Sequence, residues 1–116
     1  MFGFTGSLKV YVAVQPADMR KSFNGLFALT RNVLREDPCG GALFVFTNRT
    51  RNRVKILCWD GTGLWVMAKR LEKGTFAWPK ASASHVQSLR IAPEELAMLL
   101  NGIDLARVRP RPWHNR

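Results

Sequence analysis

LFVFTNRTRNRVKILCWDGTGLWVMAKRLEKGTFAWP, residues 43–79, decides the fold of this chain. Three apolar runs (Leu43–Thr47, Val54–Trp59, Leu64–Leu71) and a shorter fourth around Phe76–Trp78 are separated by turn-sized polar breaks, the pattern of an antiparallel β-meander. Asp60-Gly61-Thr62-Gly63 supplies a tight turn with glycines free to take positive φ, and Lys73-Gly74 supplies the next. The first connection carries Arg49, Arg51 and Arg53 with no acid among them. If the chain stays extended through that turn, Arg49, Arg51, Arg53 and Lys55 share one side.

Upstream, residues 7–14 (SLKVYVAV) alternate Leu8, Val10, Val12 and Val14 with Lys9, Tyr11 and Ala13, as a half-buried strand does. Gln15-Pro16 stops it, because proline has no N–H for a ladder. Asp18 reads as the N-cap of one long helix, residues 18–36, with Met19, Phe23, Leu26, Phe27, Thr30, Val33 and Leu34 as its buried stripe. Gly25 within it costs about 1 kcal/mol relative to Ala and is read as room for close approach to the sheet or as tolerated weakness. Asp37-Pro38 and Gly40-Gly41 turn the chain. Downstream, residues 80–86 read as a polar linker and 88–91 as a short strand. Pro93-Glu94-Glu95 opens a C-terminal helix with Leu96, Leu99, Leu100 and Ile103 as its stripe. The expectation is a small single α+β domain over residues 1–106: a mainly antiparallel sheet with one long helix packed on it and a C-terminal helix. Residues 107–116 are expected to form a flexible basic tail, with Trp113 as an anchor for a partner.

Composition bounds the function. The chain has 116 residues, 47% of them hydrophobic, enough for one domain with a real core. No apolar run approaches the roughly 20 residues of a membrane span, and the N-terminus lacks the basic and apolar regions of a signal peptide, so no membrane partner and a cytoplasmic location are expected. Cys39 and Cys58 are too far apart for a CxxC motif and read as reduced, partly buried thiols. Net charge is +10, and +6 without residues 107–116, which favours polyanionic partners through counterion release.

Guanidinium groups bind phosphate bidentately, and a β-ribbon can enter a major groove. The candidate nucleic-acid contacts are therefore Arg49, Arg51, Arg53 and Lys55, extended by Lys69 and Arg70, with Arg20 and Lys21 adding to them. The alternative is a solvated loop whose charges guard a sheet edge. Trp59, Trp65, Phe76 and Trp78 read as packing more than as base-stacking platforms. No catalytic residue, metal site or cofactor is expected. His85 and His114 sit in linker-like segments, and GxGxxG, P-loop, GxSxG and HExxH motifs are missing. Asp18, Asp60 and Asp104 are the acids a metal-dependent nuclease would have to gather, and each has a simpler local role.

Three segments together, VYVAVQPADMRKSFNGL, residues 43–79 and IAPEELAMLLNGIDL, resemble one family over roughly residues 9–105. It is that of the short accessory proteins, often called TnpB, encoded by the second reading frame of the sixty-six family of bacterial insertion sequences. It is distinct from the RNA-guided nuclease sharing that name. The pattern carries over at Asp18, Met19, Arg20, Lys21, Phe23, Gly25 and Leu26. It continues at Asn48, Arg49, Arg51, Arg53, Lys55, Trp59, Asp60, Gly63, Leu64, Lys69, Arg70, Leu71, Gly74, Phe76, Trp78 and Pro79. Thr50 and Asn52 stand where an Arg and an Asp are frequent. The resemblance implies a non-catalytic role in DNA transposition beside a separate, larger transposase. DNA at the insertion-sequence ends and the transposase are the implied partners. The rival is a protein–protein adaptor for the transposase with no DNA affinity of its own.

Overall fold

The computed structural model describes residues 8–103. Strands β1 (Val10–Ala13), β2 (Leu43–Thr47), β3 (Arg53–Trp59), β4 (Leu64–Arg70) and β5 (Ser88–Ile91) form one sheet in the order β4-β3-β2-β1-β5. The meander forms as its sequence demands: β2, β3 and β4 pair antiparallel in succession. β1 runs parallel to β2, so the helix between them is the crossover that a parallel pair requires. β5 returns antiparallel on the far side of β1. The α+β expectation and the mainly antiparallel sheet therefore hold, with one parallel pair inside a mixed sheet.

Both faces are covered. On one face Val10, Val12, Val45, Val54, Ile56 and Cys58 pack against Leu96 and Leu99 of α2 (Pro93–Leu100) and against Phe76 and Trp78. On the other, Ala13, Phe44, Phe46 and Leu57 pack against Leu26 and Leu34 of the crossover helix. β1 and β2 are thus central strands buried on two sides, which is why β2 is apolar from Leu43 to Phe46 instead of alternating.

The single long helix does not form. α1 spans Phe23–Leu29 and passes into a π-helical segment, Thr30–Leu34, that ends with Arg35 in the left-handed conformation (φ 59°). Asp18 does not cap it. Its carboxylate accepts from the Arg20 backbone N–H and from the Arg20 guanidinium, holding a separate turn ahead of the helix. The expected stripe is only partly buried: Leu26, Thr30 and Leu34 are buried, whereas Phe23, at the start of α1, and Val33, in the π segment, are exposed. The missing Cβ of Gly25 faces not the sheet but the Lys21 side chain, which a Cβ there would meet at 2.9 Å.

The fourth apolar run is not a strand. Residues 71–87 form an irregular connection whose Phe76 and Trp78 are nonetheless buried. α2 begins at Pro93 as read from the sequence, with the Glu95 carboxylate accepting from the Ala92 N–H at 2.8 Å. Cys58 is buried, as expected, and burial pushes its thiol up; Cys39 is exposed, contrary to expectation. The expected tail at 107–116, with Trp113, lies outside the described residues.

Candidate nucleic-acid interface

Strand directions sort the charges. β1, β2 and β4 finish, and β3 and β5 begin, at the same end of the sheet. The connections there are residues 14–22, 48–52 and 71–87. They and the adjoining strand ends carry Arg20, Lys21, Arg49, Arg51, Arg53, Lys69, Arg70, Lys73 and Lys80. The only acids among the described residues at that end are Asp18 and Glu72. Each of these is ion-paired to a local arginine: Asp18 with Arg20 at 2.7 Å, Glu72 with Arg70 at 3.4 Å. Glu36, Asp37 and Asp60 sit in the connections at the opposite end, and Glu94 and Glu95 in the first turn of α2, which starts there.

The β2–β3 connection itself is not extended. Asn48 folds it: its side-chain oxygen accepts from the backbone N–H groups of Asn52 and Arg53, and its amide donates to Asn52 and Thr50. Arg51 takes a left-handed conformation (φ 58°). A row of four cations in strand register is therefore not built. Arg51 lines a groove with Gln15, Pro16, Lys80 and Ser82, while Arg53 lines another with Met19, Lys55 and Arg70. Among the described residues Arg49, Arg51 and Arg53 form no ion pair. The loop is fixed by the following connection: Leu71 N–H donates to the Asn52 carbonyl, and Phe76 N–H to that of Arg51.

The remaining cations divide by face. Arg53, Lys55 and Arg70 lie on the α1 side, where Lys55 Nζ donates to the Lys21 carbonyl at 2.8 Å. Lys69 lies on the α2 side and donates to the Leu100 carbonyl at 2.7 Å, neutralising the negative end of that helix. Neighbours in a strand point oppositely, so Lys69 and Arg70 leave β4 on different faces, although both line the groove at Arg53. Arg20 donates to Asp18 with Nε and Nη2, and the carboxylate in turn raises the guanidinium's affinity for its proton. The alternation of charges does not disclose the polar side chains of the loop, above all Asn48, as its positioning groups. The signal for them is an Asn at the first loop position, an Asx-turn residue.

Asp18 and Asp60 stand at opposite ends of the sheet, so these two do not converge as a nuclease centre would need; Asp104 lies outside the described residues. Asp60 is held by its turn: it accepts from Trp65 Nε1, then from Thr62 and Gly63, which keeps its carboxyl well below the usual range.

A family model described as IS66 Orf2 like protein matches residues 8–110. The chain belongs to the IS66 Orf2-like family. This IS66 Orf2-like protein is 38% identical over 112 residues to "Uncharacterized protein y4jC" of Sinorhizobium fredii, covering 97% of this chain and 93% of the relative. It is 37% identical over 98 residues to "Uncharacterized protein y4hO" of the same organism, covering 84% and 83%. No solved structure matches. The family is one of insertion-sequence-associated accessory proteins, not of known catalytic enzymes. No helix among the described residues is long and apolar enough to cross a membrane.

Proposed function

We propose that this IS66 Orf2-like protein serves transposition by binding DNA, at the insertion-sequence ends or within the transposase–DNA complex, through the basic end of its sheet. The supporting observation is the segregation of charge. The carboxylates at that end are each engaged by an arginine, and the other described acids lie at the far end. Such an end projects positive potential, attracts a polyanion, and displaces its counterions on contact. Arg49, Arg51 and Arg53 supply phosphate contacts from the folded hairpin loop, Arg70 and Lys55 from the neighbouring face, and Arg20, Lys21 and Lys69 from its rim.

Reversing Arg49, Arg51 and Arg53 to Glu is expected to abolish a gel shift on insertion-sequence ends while leaving the thermal melt close to wild type. An unaltered shift would remove the hairpin from the interface. An adaptor reading draws on a different observation, the exposure of Phe23, Val33 and Trp65 on the flanks of the molecule. It predicts transposase capture that survives nuclease and high salt by a protein with no DNA affinity.

A further inference from the structure

The registers place Arg53 directly opposite Arg70 across β3 and β4. Hydrogen-bonded and non-hydrogen-bonded pairs alternate along an antiparallel ladder. Leu71 N–H donates to the Asn52 carbonyl at one end of this ladder, and Asp60 N–H to the Gly63 carbonyl at the other. The Arg53–Arg70 pair therefore falls in the non-hydrogen-bonded class, the one that brings opposed side chains closest. Like charges directly opposite destabilise a sheet. Arg53 and Arg70 also line one groove of about 370 Å³, together with Lys55, Met19, Ala68, Lys69 and Glu72. The local acid, Glu72, touches Arg70 at 3.4 Å, while Arg53 has no acid partner among the described residues; solvent screens both the ion pair and the repulsion, because all three side chains are exposed. The bond from Lys55 to the Lys21 carbonyl uses one of the three ammonium N–H groups and leaves two.

We infer that Arg53 and Arg70 form a clamp for a single phosphate group, with Lys55 of the same groove as the third donor. A phosphate between opposed guanidinium groups turns their repulsion into charge-assisted hydrogen bonds. The clamp deepens the DNA reading above by assigning one backbone phosphate to a defined site. A free phosphate offers the same chemistry.

The test compares the full chain with Arg70→Gln, Arg53→Gln and, as a control, Lys9→Gln, in sodium phosphate against sodium chloride at matched ionic strength. The expected result is a higher melting temperature in phosphate for wild type and Lys9→Gln, and no such rise for either arginine variant. In chloride alone Arg70→Gln should melt above wild type, because removing one charge relieves the repulsion. A phosphate response in Arg70→Gln equal to that of wild type, or an Arg70→Gln protein that melts below wild type in chloride, overturns the clamp. A second arm measures binding to a short duplex. Several-fold weaker binding by Arg70→Gln assigns the site to the DNA backbone. Wild-type duplex binding with the phosphate response lost assigns it to free phosphate. Duplex binding by wild type with no phosphate response in any protein overturns the clamp and leaves the DNA reading standing. A phosphate response without duplex binding does the reverse.

Discussion

Asp18 shows how a side chain can be committed to a job that its surroundings in sequence disguise. Followed by an apolar stripe, it has every mark of an N-cap. Arg20, two residues on, offers the carboxylate both a backbone N–H and a guanidinium, and these take it before the helix begins. Hydrogen bonds from Arg20 hold the Asp18 carboxyl at about 2, below its ordinary 3.8. The sign follows from that depression. The folded state holds the proton less tightly than the unfolded one, so the contribution to stability is complete above about pH 3.8 and is lost as pH falls through about 2. A carboxyl-carbon titration should place the Asp18 midpoint near 2 and move it toward 3.8 in Arg20→Gln. Because both partners are at the surface, Asp18→Asn should scarcely alter the melt at neutral pH.

At the scale of elements, the parts visible in the sequence are those whose information is local. The meander is announced by three apolar runs and two turns, and α2 by Pro93 with two acids behind it. The crossover helix was half visible. Its apolar stripe located it, but the π turn and the left-handed Arg35 depend on how the helix settles between β1 and β2, which no window of neighbouring residues encodes. The run holding Phe76 and Trp78 looked like a strand because burial alone makes a stretch apolar. It pairs with neither edge strand, β4 or β5, and crosses the α2 side of the sheet instead. Trp78 fastens this connection by donating from Nε1 to the Ala13 carbonyl at 2.8 Å, in the buried interior. Replacing Trp78 by Phe removes the donor to that carbonyl and leaves a void. The expected loss is about 1–3 kcal/mol in urea unfolding followed by circular dichroism. A change near zero would mean that the connection does not depend on this anchor.

Across the whole molecule, the candidate interface was legible as composition and illegible as geometry. The arginines of residues 49–53 are conspicuous in a chain of net charge +10, yet alternation suggested a straight row that Asn48 and the left-handed Arg51 forbid. What joins these cations to Arg20, Arg70, Lys73 and Lys80 is strand direction, a property of the finished sheet. That origin makes a distinction that net charge cannot make. Lys9, Arg31 and Arg35 lie toward the acidic end, so they raise the total charge without facing the proposed DNA surface. Neutralising Arg51 and Arg53 together and neutralising Arg31 and Arg35 together remove the same two charges. If contact at the basic end governs binding, the first pair of changes should make the slope of log affinity against log salt on duplex DNA shallower by about 1.8, from about 0.9 per lost phosphate contact. The second pair should leave the slope as it is in wild type and lower affinity only slightly through the long-range field. Equal changes from the two variants would mean that DNA responds to net charge alone, and that the polarity of the sheet has no part in where it binds.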